Sequence, residues 1–260
     1  MDSAKQIVVK TMTPEKRAIA IITVLLLPLS DRLSFSAESL FGGENLHAWC
    51  IVPYDGKQRT PEQRAAMLAR LGIRRFAYDW RSEHIGTFEE EILALKRHGI
   101  EITAFISPNE SAFKLMEKYN LKPHIWCVFS SAPPDVTDHD QRVKFAVDSI
   151  LPVVERTRKI GCQLGLYAHS GWSGHPDNMV AVAAKLRNEH AAAHVGIVYN
   201  FHWAHTVLER FPEAMAMMNP YLIALNLNGM THNGPALGKM ILPLGQGELD
   251  ITLLRQAHTD

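Results

Sequence analysis

The stretch "GIVYNFHWAH", residues 196–205, changes character halfway along, and this change decides the fold. Its first half is an apolar run with β-branched residues, which is typical of a buried strand. Its second half contains Asn200, His202, Trp203 and His205. An apolar strand that runs directly into polar and aromatic residues indicates a strand that leaves a core and enters a binding site.

The same pattern recurs along the chain at a spacing of about 29 residues. Apolar strand-like runs lie at 46–53, 74–80, 101–108, 124–131, 162–169, 194–202 and 221–229. Helical patterns lie between them, the longer ones over 139–161 and 178–193. Seven such units predict a parallel sheet covered by helices.

Local signals support two of the shorter helices. Pro61 after Thr60 predicts a helix start, and Gly72 predicts its end. Thr87 with Glu90 resembles a capping box for the next helix, which we expect to stop at residue 99.

A doubly wound sheet would give the same alternation of strands and helices. However, no GxGxxG turn follows the first strand, and the regular spacing is better suited to a closed barrel. The sequence therefore predicts an α/β fold of the (β/α)8 TIM type over residues 45–260. Residues 250–260 resemble the start of the seventh helix, and no eighth strand is visible, so the barrel is predicted to be truncated before that strand.

Residues 1–44 are predicted to form a signal-like leader and linker. Lys16 and Arg17 precede the apolar segment 18–29, and small residues follow at 34–39, as in a secretory signal. The apolar segment is too short to span a bilayer. The pattern favours export to the periplasm or the extracellular space. A retained membrane-surface anchor, or a misassigned start codon on a cytoplasmic protein, are the alternatives.

Composition narrows the class of partner. Lys+Arg and Asp+Glu both number 27, so no basic field attracts a nucleic-acid backbone. The three cysteines, Cys50, Cys127 and Cys162, are widely spaced and lie in apolar runs, which favours small core residues over a disulfide framework.

Active sites of such barrels lie at the carboxyl ends of the strands, so polar residues there are the candidates. Amides, imidazoles and indole faces together are suited to a hydroxyl-rich ligand, which predicts a small-molecule sugar. The candidates for substrate binding are Asp79, Trp80, Arg81, Trp172, Trp203 and Asn228. The candidates for proton transfer are Glu83, His84, His169 and His202, with Glu110 and Glu248 as further carboxylates near the mouth.

Several of these residues have a structural alternative. Asn226 and Asn228 could be satisfied core amides, the two tryptophans Trp172 and Trp203 could cap the core, and Asp79 with Arg81 could be an ion pair closing a loop. The segment 245–250 could reach over the mouth or form a turn before a helix capped by Asp250. His124 and His194 begin their strands at the opposite end and are interpreted as structural.

Four stretches resemble the xylose-isomerase-like TIM barrel superfamily, often described as sugar phosphate isomerases and epimerases. They are residues 76–105 ("FAYDWRSEHIGTFEEEILALKRHGIEITAF"), 166–178 ("LYAHSGWSGHPDN"), 195–205 ("VGIVYNFHWAH") and 220–250 ("PYLIALNLNGM…ILPLGQGELD"). The resemblance covers residues 45–258 and is greatest to exported bacterial members. The same domain also occurs in abasic-site endonucleases.

The resemblance implies a divalent metal (Mn, Co, Zn or Mg) at the barrel mouth. The family's epimerases hold it with Glu, Asp or His, His, and Glu after strands five to eight. Carried over to this sequence, the tentative ligands are His169, Asn200, His202 and Asn226, with no eighth-strand ligand. Because neutral donors replace the carboxylates, the family's paired-glutamate mechanism is not supported here.

The predicted function is a sugar or keto-sugar isomerase or epimerase, or a related lyase, that moves a proton next to a carbonyl. The alternative is a non-catalytic or degenerate carbohydrate-binding barrel. A DNA-repair endonuclease is a third hypothesis, and the neutral chain argues against it. No Arg/Lys-rich phosphate loop is visible, which favours an unphosphorylated sugar.

Overall fold

The computed structural model describes residues 46–243 and 246–248. The predicted leader (1–44) and the predicted last helix (250–260) lie outside the described residues and stay predictions. No described helix is both long and apolar enough to traverse a lipid bilayer.

Seven parallel strands form one curled sheet in sequential order, each hydrogen-bonded to the next. They are β1 (Ala48–Trp49), β2 (Arg75–Tyr78), β3 (Glu101–Ile106), β4 (His124–Cys127), β5 (Leu164–Tyr167), β6 (Val195–Asn200) and β7 (Leu222–Asn226). No eighth strand lies among the described residues. The predicted TIM-type fold is confirmed over the described residues, which supply seven of its strands.

Six α-helices alternate with these strands in the described part of the chain. They are α1 (Pro61–Arg70), α2 (Phe88–Arg97), α3 (Glu110–Tyr119), α4 (His139–Ile160), α5 (Pro176–Glu189) and α6 (Phe211–Met218). Short 3-10 turns at Ser82–Thr87, Trp172–Gly174 and Phe201–Thr206 follow β2, β5 and β6. Because these turns begin close to the strand ends, they shape the carboxyl side of the sheet.

The start of α1 is as predicted, and that of α2 is not. The Thr60 side chain accepts a hydrogen bond from Gln63 N, and the Gln63 side chain accepts one from Thr60 N. Thr87 makes no such cap. Its hydroxyl donates instead to the His84 carbonyl at 2.9 Å, because a 3-10 turn leads straight into α2. The predicted capping box at Thr87 is therefore wrong.

Strand β1 is much shorter than the predicted run 46–53. Cys50, directly after it, has a φ of 58°, in the left-handed region that side chains disfavour. The extended backbone therefore ends there, and the following residues form the loop before α1.

The strands separate two cores. Their outward side chains pack against the helices, whereas Ala77, Ala104, Trp126 and Val198 form a cluster inside the sheet's curl. Gly165 makes this interior packing feasible, since a Cβ there would lie 2.5 Å from Val198 Cγ2 and 3.1 Å from Trp126 Cδ1. The interior is filled by side chains, as in other TIM-type barrels.

Candidate functional site

Three polar side chains meet at the carboxyl ends of β5, β6 and β7. Asn200 and Asn226 are register partners on β6 and β7, and Tyr167 ends β5. Asn200 Nδ2 donates to the Tyr167 hydroxyl at 2.9 Å, and the Asn226 amide lies beside the same hydroxyl. Trp126 stacks on the Tyr167 ring, with centroids 5.6 Å apart and an interplanar angle of 18°. We call Tyr167, Asn200 and Asn226 the tyrosine–amide cluster.

The tyrosine–amide cluster contains polar atoms with no use in folding. Asn200 Oδ1, Asn226 Nδ2 and the nearby Trp126 Nε1 are buried and have no hydrogen-bond partner among the described residues. An unsatisfied buried polar atom costs about 1–3 kcal/mol, so folding alone does not favour this arrangement. The atoms are therefore candidates for hydrogen bonds to a further group.

Asp79 lies at the end of β2 and is only 7% exposed. Its Oδ1 accepts from Arg81 at 2.8 Å, and its Oδ2 accepts from the Cys50 thiol at 3.2 Å. The Asp79–Arg81 ion pair that the sequence allowed is thus present. Both carboxylate oxygens have partners, so Asp79 orients its neighbours.

Burial governs the ionisation of the groups around Asp79. Burial, and then the Asp79 charge, raise the pKa of Cys50 to about 12, so this thiol is not a nucleophile at neutral pH. Burial also raises the pKa of Tyr167, with the Cys50 and Asp79 charges adding to the effect. Tyr167 therefore stays protonated at neutral pH.

His169 lies at the rim, two residues beyond Tyr167, and is exposed. Its ring is 5.2 Å from that of Trp203, at an interplanar angle of 46°. A Cβ at Gly174 would lie only 1.5 Å from the His169 carbonyl oxygen, so this loop closes tightly and requires glycine there. The side chain of His202 lies outside the described part of the structure.

Three of the other predicted residues have structural contacts. Trp80 packs edge-on against Phe88, 5.2 Å between centroids, on the helix side of the sheet. His84 Nδ1 accepts from Arg81 N at 2.9 Å within the 3-10 turn that also carries the exposed Glu83. These residues are not brought to the tyrosine–amide cluster by any described contact.

Trp172 and Asn228 likewise have local partners. The Trp172 ring lies 6.2 Å from Phe129 and carries the Arg142 guanidinium at 5.2 Å, so it covers the core beside α4. Asn228 Nδ2 donates to the carbonyl of Gly229 at 2.9 Å. Asn226, by contrast, is not the satisfied core amide that the alternative interpretation of the sequence allowed.

The two further carboxylates are also engaged. Glu110 begins α3 and pairs with Arg156 at 2.8 Å. Glu248 accepts from Thr231 Oγ1 and from His232 N, so the described part of the segment 245–250 is held against the chain that follows β7. His194 Nε2 donates to the Val154 carbonyl at 3.1 Å and lies 3.2 Å from Thr157 Oγ1, consistent with its structural interpretation.

The described donors do not fit a hard divalent cation. Among the described residues no group of three or more His, Cys, Asp or Glu side chains comes together. The positions at the mouth supply a phenol and two neutral amides, and the one nearby carboxylate, Asp79, is bonded to Arg81 and Cys50. Hard cations prefer several carboxylate oxygens, so the tentative set of His169, Asn200, His202 and Asn226 stays a prediction that these contacts do not support.

Sequence reasoning did not select Tyr167 or Trp126 as site residues. Tyr167 was recognised as the end of strand five but was not assigned a role, and Trp126 was interpreted as part of an apolar strand. The available signal was the alternation of side chains between the two faces of a strand. Gly165 and Tyr167 lie on the same face of β5, and Gly165 lines the interior. A large polar aromatic on the interior face at a strand's end was the clue.

Solved structures share this fold at low sequence identity. A 3-keto-D-glucoside 4-epimerase from E. coli in its apo form is 16% identical, with a TM-score of 0.56 over 76% of this chain and 82% of that chain. A probable 3-DHS dehydratase from Bacillus anthracis is 11% identical, with a TM-score of 0.63 over 82% and 88%. A xylose isomerase-like TIM barrel protein from Mycobacterium smegmatis, in complex with magnesium, is 17% identical, with a TM-score of 0.53 over 82% and 85%.

These likenesses establish the fold. The chain shares the TIM-type fold of these solved structures, one of which is a xylose isomerase-like TIM barrel protein, and this confirms the resemblance at the level of the fold. No protein-family model matches the sequence, and no curated protein matches it.

Proposed function

We propose that this protein binds a sugar or keto-sugar at the carboxyl ends of its strands and acts as an isomerase, an epimerase or a related lyase. The observation that carries the proposal is the tyrosine–amide cluster, whose buried amide atoms lack partners in the described structure. Structures with this fold include an epimerase of a keto-glucoside and a dehydratase, which supports proton transfer next to a carbonyl.

The residues of the proposed site have different roles, according to their depth in the barrel. Tyr167, Asn200 and Asn226 offer hydrogen bonds to the ligand's oxygens, and Trp126 walls the interior behind them. At the rim, the exposed His169 side chain is suited to accept and return a proton, since an imidazole can act as both a proton donor and a proton acceptor. The neighbouring Trp203 ring offers a flat surface to the C–H face of a sugar.

Proton exchange with solvent tests the proposal directly. The purified full chain is incubated in deuterated water with D-fructose, D-tagatose and D-psicose, each with and without added divalent metal, and C–H exchange is followed by NMR. We expect exchange next to the carbonyl of at least one sugar. We expect His169→Ala to slow it by about 10²- to 10⁴-fold, the usual contribution of a positioned acid or base.

A matched variant guards against loss of fold. His190 follows the end of α5 and lies near the amino ends of the strands, away from the proposed site. The His190→Ala variant should therefore catalyse exchange at the wild-type rate. If neither the wild type nor any variant exchanges a C–H proton of any ketose, the enzymatic proposal fails.

A non-catalytic carbohydrate-binding barrel is the second candidate. It is favoured by one observation, namely that Asp79, Glu110 and Glu248 near the strand ends are each engaged by other groups. Binding of a sugar by calorimetry, without any exchange of its C–H protons, would support this second function.

A further inference from the structure

We propose that the Tyr167 hydroxyl is the group that binds the carbonyl oxygen of the keto-sugar, with Asn226 as a second donor and Asn200 as the acceptor for the adjacent hydroxyl. This inference rests on the proposed function and names the ligand class, an α-hydroxy ketone. It also assigns to a phenol the carbonyl-holding task that a metal ion performs in the resemblance-based mechanism.

The direction of one hydrogen bond carries the first step. An amide nitrogen can only donate, so in the 2.9 Å contact the Tyr167 oxygen accepts from Asn200 Nδ2. The phenol therefore has its own proton left to donate. Asn200 thus orients the phenol as a donor toward a third group.

The remaining unpaired atoms have the polarity that an α-hydroxy ketone needs. A carbonyl oxygen has two lone pairs, and the Tyr167 hydroxyl and Asn226 Nδ2 are two donors beside one another. A neighbouring hydroxyl needs an acceptor for its proton, and Asn200 Oδ1 is a buried acceptor without a partner among the described residues. A polyol that lacks the carbonyl fits this arrangement less well. Its hydroxyl in that place carries a proton, which would face two donors and no acceptor.

Packing fixes the position of the Tyr167 ring. Trp126 stacks on the Tyr167 ring, and Gly165 leaves the indole its space. Tyr167 and Asn226 keep exposed fractions of 8% and 7%, whereas Asn200 keeps 1%. Asn200, the amide that orients the phenol, is thus the most deeply buried of the three.

The test compares two buried tyrosines. Tyr199 lies on β6, faces the helix layer, is fully buried, and has a hydroxyl with no partner in the described structure, so Tyr199→Phe is the matched control for Tyr167→Phe. Calorimetry measures the binding of D-fructose and of D-mannitol, its reduced form. Deuterium exchange of D-fructose is measured with and without EDTA.

We expect Tyr167→Phe to weaken D-fructose binding about tenfold, with a smaller loss for D-mannitol. Exchange should slow by about 10²- to 10³-fold, as when a preorganised donor to a developing oxyanion is removed. Tyr199→Phe should match the wild type in both measurements, and EDTA should leave wild-type exchange unchanged.

Asn200→Asp provides an independent variant of the same shape. A carboxylate at this position captures the Tyr167 proton, so D-fructose binding should fall as far as in Tyr167→Phe even though the phenol remains. Thermal unfolding midpoints check that each variant is folded, and if Tyr167→Phe does not fold, Asn200→Asp decides.

The outcomes separate this inference from the function on which it rests. Exchange that EDTA abolishes and Mn²⁺ restores, or a Tyr167→Phe enzyme as active as Tyr199→Phe, overturns the role of the phenol and leaves the proposed function intact. A wild-type protein that neither binds nor exchanges any ketose overturns both. Binding without exchange, with a selective loss of D-fructose in Tyr167→Phe, supports the phenol's role and refutes only catalysis.

Discussion

Two regions of the molecule bury polar side chains, and they do so in different ways. Between α1 and α2, Arg64 and Glu91 are 4% and 1% exposed and form two parallel hydrogen bonds of 3.0 and 2.9 Å. Arg64 donates a third hydrogen bond to the Arg59 carbonyl at 3.1 Å. At the strand ends, Asn200 and Asn226 are also buried, with 1% and 7% of their surface exposed, yet each keeps an amide atom without a described partner.

The polar groups between α1 and α2 satisfy one another, whereas the amides at the strand ends keep atoms that can bond to a further group. The Arg64–Glu91 pair is closed, since each group satisfies the other and nothing further is required. The tyrosine–amide cluster is open, since Asn200 Oδ1 and Asn226 Nδ2 have no partner among the described residues. Substitutions in the Arg64–Glu91 pair should therefore lower mainly the stability, and substitutions in the tyrosine–amide cluster should lower mainly the ligand binding.

The largest effect is expected from breaking the closed pair. Arg64→Ala leaves the Glu91 carboxylate buried without its partner, and removal of one member of a buried ion pair costs about 3–5 kcal/mol. The free energy of unfolding, measured in urea, should fall by this amount. The exposed pair of Lys144 and Asp148 on α4 is the control, and Lys144→Ala should cost less than about 1 kcal/mol. Equal losses in the two variants would contradict the comparison.

A smaller loss is expected from overfilling the barrel interior. Gly165→Ala places a Cβ 2.5 Å from Val198 Cγ2, and overpacking of this kind costs about 1–3 kcal/mol. Gly86→Ala is the control, because nothing lies within 4 Å of its Cβ position. Urea denaturation should show a clear loss for residue 165 and little change for residue 86. A neutral Gly165→Ala would mean that the indole of Trp126 has free space to move.

The open cluster should tolerate a substitution that abolishes its function. Asn200→Leu removes the unpaired Oδ1 together with the hydrogen bond to Tyr167, and the two effects oppose each other at about 1 kcal/mol apiece. We expect the free energy of unfolding to change by less than about 1 kcal/mol while ketose binding is lost. A loss of stability as large as that of Arg64→Ala would show that the cluster is structural.

The smallest effect concerns pH and the amino end of the barrel. Burial lowers the pKa of His124 and of His194 below the ordinary value of 6.5. The unfolded chain therefore binds more protons than the folded one as the pH falls through 6.5, and stability is lost in that direction. His124→Gln should flatten the decline between pH 7.5 and 5.5 by less than about 1 kcal/mol, read from urea denaturation at each pH. An unchanged slope would contradict the assignment.

The fold was predictable because each of its elements has a local signal. Seven apolar runs and the helices between them require only periodicity, and Thr60 with Pro61 marked the start of α1 correctly. Element ends were less predictable. At Cys50 the chain takes a left-handed conformation, and at Thr87 a 3-10 turn replaces the expected cap, and neither depends on residue type alone.

The site was predictable only in part, because sequence shows which residues follow a strand but not which face they take. Asn200 and Asn226 were selected and lie together. Trp80 and Trp172 were also selected, yet their rings pack against the core on the helix side. Tyr167 was overlooked because a tyrosine in an apolar strand is ordinary, and its role depends on amides 33 and 59 residues away in the printed sequence.

Because Gly165 has no side chain, side chains from other strands fill the space beside it. The indole of Trp126 on β4 occupies the space that a residue on β5 would otherwise fill. Val198 on β6 lies closer still to that space, so a larger residue at position 165 would require shorter side chains at both 126 and 198. Shortening Trp126 alone should instead open space beneath the Tyr167 ring, on which the indole stacks, without a change in any loop.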